Sequence, residues 1–202
     1  MPVYDHRRYP QIILASGSPR RRELLSRFGF PFIIDVSDAD EVNTGTPEEL
    51  VESNAAAKAL AVARRHGDAL VIASDTLVSL DGEPLGKPAD EEDAALMLGK
   101  LSGKAHQVFT GVCLIDCATG KQASFVDRSD IRFREMSESE ITDYIRTGEP
   151  MDKAGAYAIQ GLGGKFVESY TGSFENIMGL PVQALEKALK AFADTLYSPA
   201  EE

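Results

Sequence analysis

The chain has 202 residues, of which 43% are hydrophobic and 26% are charged, a composition typical of globular proteins. Its formal net charge of −11 excludes the broad basic face that binding to a nucleic-acid polymer needs, but it leaves room for a local basic pocket. No leader-like apolar segment opens the sequence and no apolar run could span a bilayer, so we expect a cytoplasmic protein with no membrane partner. The spacing of Cys113 and Cys117 suits neither a zinc knuckle nor a redox pair, which predicts reduced thiols on one face of a strand.

The first predicted elements are a strand, a tight turn and the start of a helix. The apolar run 12–15 is followed by Ser16, Gly17, Ser18 and Pro19. Ser18 suits the N-cap position, and Pro19 suits the first helical position because its missing N–H would be unpaired there anyway.

Three arginines, at positions 20–22, fill the first turn of this helix. The helix dipole favours acidic residues at that end, so the reversed charge indicates an anion bound by backbone N–H and guanidinium groups. Helical spacing places Arg20 and Arg21 beside the apolar stripe and Arg22 on the outer face. We therefore assign Arg20 and Arg21 to a ligand and Arg22 to the surface. The alternative is a solvated basic turn that pairs with acidic residues elsewhere.

Short apolar runs alternate with helical stretches along the rest of the chain, which predicts an α/β fold. The predicted strands are 32–34, 69–73, 108–117 and 123–133, and the predicted helices start at Thr46, Asp90, Ser137 and Val182. Residues 147–180 are rich in glycine without a helix or strand period, which indicates a functional segment. We expect one domain over 1–202, with loosely ordered ends at 1–9 and 198–202.

Asp75 is the best single candidate for a catalytic carboxylate. It follows the apolar run 69–73, where we expect a buried strand to end, and ligands of open α/β sheets bind outside such strand ends. A carboxylate there can hold a divalent metal or take a proton from water, and the alternative is a carboxylate that braces a neighbouring loop. Glu41, in the acidic turn with Asp38 and Asp40, offers oxygen ligands to magnesium unless the turn is simply solvated.

Two lysines and an amide are further candidates. Lys58, in an alanine-rich helix, and Lys87, after a predicted hairpin at Asp81-Gly82, could each supply a point charge to a phosphate, although surface lysines are commoner. Gln160 could read the edge of a base or brace its loop. The stretch 161–164, Gly-Leu-Gly-Gly, lacks the flanking strand and helix of a dinucleotide fingerprint.

Several co-linear motifs together resemble the Maf family of nucleoside triphosphate pyrophosphatases. The match covers nearly the whole chain, with one departure at Ser74, where alanine or glycine is usual in the family. The matching segments are 14–21, 73–76, 85–88, 101–103 through His106 to 110–112, 148–161, and 172–174 through 179–181.

The resemblance implies an elongated α/β fold with a mixed central sheet and an active-site cleft between two lobes. It also implies hydrolysis of a nucleoside triphosphate between the α and β phosphates, with Mg²⁺ or Mn²⁺ and a possible homodimer. Carried over by position, Asp75 is the base and lies near the metal, and Glu41 is a metal-side acid. The positions implied to contact substrate are Ser16, Ser18, Arg20, Arg21, Lys58 and Lys87 for the phosphates, and Arg21, Thr76 and Gln160 for the choice of nucleotide.

The segment 152–161 resembles the branch of the family that cleaves dTTP and UTP, because the branch acting on 7-methyl-GTP has a cysteine in place of Lys153. Two alternatives stay open. The same fold could act on 7-methyl-GTP or inosine-type triphosphates. A nucleotide-binding regulator of cell division with little catalysis is the third hypothesis, although binding alone does not require Asp75.

Overall fold

The computed structural model describes Tyr9 and residues 11–197. Its strands are β1 (Ile12–Leu14), β2 (Ile33–Ile34), β3 (Leu70–Leu80), β4 (Glu83–Leu85), β5 (Ala105–Asp116), β6 (Gln122–Phe133) and β7 (Val167–Thr171). Its helices are α1 (Pro19–Ser26), α2 (Pro47–Ala63), α3 (Glu91–Leu101), α4 (Glu138–Ile145), α5 (Phe174–Met178) and α6 (Val182–Tyr197). Three short 3₁₀ helices, at 149–152, 154–156 and 162–166, lie between α4 and β7.

The seven strands form one mixed sheet flanked by helices. Its order is β2-β1-β3-β5-β6-β7, and β4 forms a hairpin with β3 beyond the end of β1. β1 runs parallel to β2 and β3, whereas every other pair in the sheet is antiparallel. This architecture confirms the predicted α/β class with a mixed central sheet.

Side chains alternate between the two faces of the sheet, and each face has its own core. The larger cluster includes Ile12, Leu14 and Ile72, and it packs against α1, α3 and α6. On the opposite face, Ile13 and Val71 lie under α2. The buried face of α2 is rich in alanine, and these small side chains let the helix backbone come close to the strands.

Local signals locate the helix starts. The hydroxyl of Ser18 accepts a hydrogen bond from the N–H of Arg21, and Asp90 caps α3 through its side chain. Thr46 and Ser137 each form a full capping box with a glutamate three residues later. The predicted starts of α1, α2, α3 and α4 are therefore confirmed.

The structure differs from the sequence-based picture at three points. β3 does not end near Asp75 but continues to Leu80, because its pairing with β5 runs unbroken through that point. The segment 147–180 contains β7, whose mostly exposed residues show no apolar alternation and which forms only by pairing with β6. Cys117 lies beyond the end of β5 and so does not share a strand face with Cys113.

The expected loose ends fall mostly on residues 1–8 and 198–202, which lie outside the described residues. Tyr9 is the one residue of these predicted ends that the structure describes, and its side chain is buried in the larger core. None of the helices that the structure describes is long and apolar enough to cross a membrane.

A fully buried histidine makes the stability of the fold depend on pH. His106 on β5 contacts the Tyr157 hydroxyl through Nε2 at 2.9 Å, and burial lowers its pKa from 6.5 to about 4. In the unfolded chain His106 becomes protonated below about pH 6.5, whereas in the folded chain it stays neutral down to about pH 4. The free energy of unfolding therefore falls as the pH is lowered through this window. The loss amounts to about 3 kcal/mol in the free energy of unfolding.

Urea titrations at pH 7, 5.5 and 4 measure this contribution. We expect His106→Gln to lose less stability than the wild type over the same pH range, because glutamine does not titrate. Parallel pH profiles for the two proteins would show that His106 does not cause the dependence.

Candidate functional site

A cavity of about 850 Å³ opens beside a stretch of β3 that has a strand partner on one edge only. On one edge of this strand, β1 pairs with residues 70–72 and β4 pairs with residues 78–80, which leaves residues 73–77 without a strand partner. Asp75 lies in this gap. The catalytic candidate is therefore exposed to the cavity by a break in the sheet edge rather than by the end of its own strand, and the volume suits a nucleotide-sized ligand.

All ten residues that the sequence singled out line this one cavity, although they come from distant parts of the chain. They are Ser16, Ser18, Arg20, Arg21, Glu41, Lys58, Asp75, Thr76, Lys87 and Gln160. Arg22 is exposed and is not among the lining residues. The structure thus brings the predicted groups together, and their individual roles stay predictions.

Asp75 is held by two side chains of α2. Its Oδ1 accepts a hydrogen bond of 2.6 Å from the Lys58 ammonium, and its Oδ2 accepts a longer one of 3.4 Å from the Asn54 amide. The carboxylate side chain is only 13% exposed. Because α2 covers the face of the sheet on which Asp75 lies, the carboxylate is both oriented and partly shielded from water.

Lys58 joins Asp75 to Glu41. Its ammonium lies 2.6 Å from a carboxylate oxygen of each residue. The hydrogen bond from Lys58 lowers the pKa of Glu41 below its ordinary value, although partial burial opposes the shift. Glu41 is 59% exposed on its loop, whereas the Lys58 side chain is 16% exposed. Two acidic groups from separate segments therefore converge on one cation.

Asn54 is a site residue that the sequence reasoning missed. Its side chain is buried, donates to the carbonyl of Val42 at 3.1 Å and accepts from the N–H of Val42 at 2.8 Å. The same amide reaches Asp75, so Asn54 ties the loop that carries Glu41 to the centre of the site. One signal was present: Asn54 lies four residues before Lys58 and so shares its helix face.

Arg21 is held between the turn at residues 16–18 and the segment that follows α5. Its Nε donates to the Gly179 carbonyl at 3.0 Å, and its two terminal nitrogens donate to the hydroxyls of Ser16 at 3.3 Å and Thr76 at 3.0 Å. Burial lowers the pKa of Arg21, while the negative charge of Asp75 opposes this shift. The guanidinium stays charged and retains further N–H groups for a ligand.

Arg20 makes a similar but looser contact. Its Nε donates to the carbonyl of Met178 at 3.3 Å, and burial lowers its pKa against the opposing charges of Asp152 and Glu149. The arginines at the start of α1 therefore have a structural role in the protein, in addition to any role in binding an anion. Both arginines bind carbonyls at the end of α5, which the sequence order did not reveal.

Lys87 and Gln160 are less constrained. Both side chains are exposed to the cavity, and neither makes a hydrogen bond within the part of the chain that the structure describes. They lie on different segments, Lys87 after β4 and Gln160 between two of the 3₁₀ helices. These two groups are therefore free to meet a ligand without breaking an existing hydrogen bond.

The acidic pair also bears on metal binding. Within residues 11–197 no group of three or more His, Cys, Asp or Glu side chains converges as a metal site. Glu41 and Asp75 nevertheless already share one positive charge, that of Lys58. Two carboxylates suit Mg²⁺, which takes its other oxygens from water and phosphates. The residues therefore fit a divalent cation that arrives with a phosphate ligand.

Curated proteins related to this chain cover nearly its whole described length. A dTTP/UTP pyrophosphatase of Bdellovibrio bacteriovorus is 45% identical over 190 residues, 91% of this chain and 99% of that protein. The dTTP/UTP pyrophosphatase of Symbiobacterium thermophilum is 45% identical over 93% of this chain and 97% of its own length. That of Deinococcus radiodurans is 48% identical over 90% of this chain and 92% of its own length.

Two further similarities concern the family and the fold. The crystal structure of protein VC0702 from Vibrio cholerae aligns with 94% of this chain and 99% of its own, at a TM-score of 0.47 and 15% identity. The sequence profile described as Maf-like protein matches residues 11–192. With a profile match of that extent and relatives at 45–48% identity, this chain belongs to the Maf family.

Proposed function

We propose that this protein hydrolyses dTTP and UTP to the nucleoside monophosphate and pyrophosphate. The observation that carries the proposal is the shielded Asp75 carboxylate, which lies between Lys58 and Asn54 on the wall of a nucleotide-sized cavity. The names of the related proteins support the reaction and the two nucleotides.

In the proposed reaction, Asp75 is the general base. It takes a proton from a water molecule whose oxygen attacks the α-phosphorus, while the bond from that phosphorus to the bridging oxygen breaks and pyrophosphate leaves. Lys58 holds the Asp75 carboxylate in place, and Asn54 orients its second oxygen. A carboxylate fixed in this position can take the proton of the attacking water molecule.

Basic side chains line the cavity and can bind the triphosphate. We assign Arg20, Arg21, Lys58 and Lys87 to the phosphate oxygens, which gain negative charge as the bond breaks. The hydroxyls of Ser16 and Ser18 lie in the turn before α1, and both residues line the same cavity. The overall charge of −11 makes this local basic wall the natural place for a small anion.

We propose that Glu41 and Asp75 hold Mg²⁺ or Mn²⁺ once the triphosphate is present. Bound there, the ion neutralises phosphate charge and makes the leaving pyrophosphate a better leaving group. Lys58 already sits between the two carboxylates, so its side chain must share them with the ion.

We assign the choice of nucleotide base to three residues that line the cavity. Arg21 and Thr76 are directly hydrogen-bonded, and Gln160 offers a donor and an acceptor to the cavity. A pyrimidine edge with one carbonyl and one N–H matches the amide of Gln160. We propose that Arg21, Thr76 and Gln160 together set the preference for thymine and uracil.

A panel of nucleoside triphosphates with Mg²⁺ or Mn²⁺ tests the proposed substrate. We expect kcat/KM for dTTP and UTP to exceed that for dCTP, GTP, 7-methyl-GTP and ITP by at least about ten-fold, since sites that hydrogen-bond a substrate discriminate strongly. A preference for 7-methyl-GTP or ITP would contradict the assignment to pyrimidines. Tight nucleotide binding without release of pyrophosphate would favour a regulator over an enzyme.

The cytoplasm as the place of action and a homodimer as the assembly complete the proposal, and the homodimer rests on the resemblance to the family. Light scattering of the purified protein measures the mass in solution. A mass of one chain would contradict the dimer without affecting the proposed reaction.

A further inference from the structure

The loop that carries Gln160 is tied down by one carboxylate and one phenol outside the cavity. Glu149 accepts hydrogen bonds from the N–H groups of Leu162 and Gly163, both at 3.0 Å. The hydroxyl of Tyr144 donates to Glu149 at 2.8 Å and accepts from the N–H of Ala158 at 3.1 Å. The backbone is therefore held two residues before Gln160 and again two residues after it.

The glycines of this loop are required by the same contacts. A Cβ on Gly161 would lie 2.4 Å from Oε2 of Glu149, and a Cβ on Gly163 would lie 2.6 Å from the hydroxyl oxygen of Tyr144. A side chain at either glycine would displace the Glu149 carboxylate or the Tyr144 hydroxyl from its hydrogen bonds, or shift the loop itself. The glycine-rich stretch that does not fit a dinucleotide fingerprint thus has another explanation: its backbone wraps around a protein carboxylate.

The charge of Glu149 strengthens this arrangement. Burial alone would raise its pKa, but the N–H of Leu162, the hydroxyl of Tyr144 and the N–H of Gly163 outweigh burial and lower the pKa. Hydrogen bonds to an ionised acceptor are roughly twice as strong as neutral ones. Tyr144 is itself fully buried, with its ring against that of Phe166 at 5.2 Å. Glu149 and Tyr144, which together form the anchor of this loop, are therefore a charged and rigid pair.

Gln160 depends on this anchor for its position. Its side chain makes no hydrogen bond of its own among the described residues, so the position of its backbone decides which part of the cavity the amide can reach. Glu149 and Tyr144 do not line the cavity and so have no direct route to a ligand. Their hydrogen bonds can therefore act on the base only through the loop, whereas the charge of Glu149 also acts on Arg20, on the phosphate side of the cavity.

We propose that Glu149 and Tyr144 are positioning residues that set base selectivity by orienting Gln160. This inference rests on the proposed hydrolysis of dTTP and UTP. It predicts that weakening the anchor changes which nucleotide is accepted, while the phosphate chemistry around Asp75 continues.

Glu149→Gln tests the inference, because the amide keeps the size but loses the charge and presents N–H groups to backbone donors. We expect KM for dTTP to rise about ten-fold and the preference for dTTP over dCTP and GTP to fall by a similar factor, with kcat within about two-fold of the wild type. Hydrogen exchange at Leu162 and Gly163 should become faster. Glu138→Gln, an exposed change of equal charge on α4, is the matched control and should alter none of these values.

A double-mutant cycle with Gln160→Ala separates positioning from simple support of the fold. If Glu149 acts through Gln160, adding Glu149→Gln to Gln160→Ala should change selectivity no further. An equal loss of selectivity in both backgrounds would overturn the inference. So would a Glu149→Gln variant that is less stable but keeps wild-type selectivity.

Tyr144→Phe covers the case in which Glu149→Gln does not fold, since it removes one hydroxyl and leaves both backbone bonds to Glu149. We expect a loss of selectivity of about three-fold, and wild-type selectivity would overturn the inference. A wild-type protein that cleaves neither dTTP nor UTP would contradict the proposed function itself, and this outcome is visible before any variant is made.

Discussion

Asp75→Asn should lower kcat on dTTP about a thousand-fold while KM changes little. The amide cannot take a proton from water, and it no longer attracts the Lys58 ammonium, which then pairs with Glu41 alone. Arg20, Arg21 and Lys87, which we also assign to the phosphates, are untouched, so nucleotide affinity should persist. Steady-state kinetics with pyrophosphate detection measures the loss.

Asp81→Asn is a suitable control for this experiment, because Asp81 lies exposed in the β3–β4 turn, outside the cavity. We expect wild-type kinetics and an unchanged melting temperature for the control. An Asp75→Asn protein with more than about a tenth of wild-type kcat would contradict the assignment of Asp75 as the base.

Gly111→Ala should cost about 4 kcal/mol of folding free energy, above the usual range for overpacking. Gly111 lies directly opposite Asp75 on β5, and a Cβ there would come within 2.2 Å of the carbonyl oxygen of Val51 in α2. The obstacle is helix backbone, which cannot rotate away as a side chain can. The one added methyl group must push α2 away from the sheet.

The same displacement should reduce activity in the fraction that still folds. Asn54 and Lys58 both lie on α2, and they reach Asp75 only because the helix backbone touches Gly111. Urea unfolding measures the loss of stability, and kcat measures the loss of activity. Full stability with full activity in Gly111→Ala would show that this close approach is not needed.

Gly99→Ala is the matched control, because a Cβ at this exposed position of α3 meets nothing within 4 Å. We expect it to stabilise the protein by up to about 1 kcal/mol, since alanine favours helix over glycine. The two glycine substitutions should therefore change stability in opposite directions.

Local chemistry in the sequence was enough to predict the helix starts. Ser18, Thr46, Asp90 and Ser137 each cap a helix through a bond to a residue three positions away, so the signal lies within one turn. The α/β class likewise follows from the alternation of apolar runs and helical stretches.

Features that depend on distant partners could not be predicted in the same way. β7 exists because β6 pairs with it, and Asp75 lies inside a long strand because β5 continues to pair beyond it. The gap that opens the site is a property of where β1 and β4 end, not of the residues around Asp75.

The candidate site likewise contains residues that the sequence could identify and residues that depend on contacts with distant segments. Residue types and motifs were sufficient to name ten positions that line one cavity. Asn54 and Glu149 were missed because each acts through a bond to another part of the chain: Asn54 to the loop at Val42, Glu149 to the backbone after Gln160. The arginines of α1 also bind carbonyls near Gly179, a contact 158 residues away in sequence.

Phosphorus NMR of dTTP incubated with the protein and Mg²⁺ tests the central claim most directly, because it identifies which phosphoanhydride bond is cut. Attack at the α-phosphorus predicts the resonances of dTMP and pyrophosphate, with neither dTDP nor orthophosphate formed. The appearance of dTDP and orthophosphate, or an unchanged triphosphate spectrum, would contradict the assignment of this cavity as the active site of a nucleoside triphosphate pyrophosphatase.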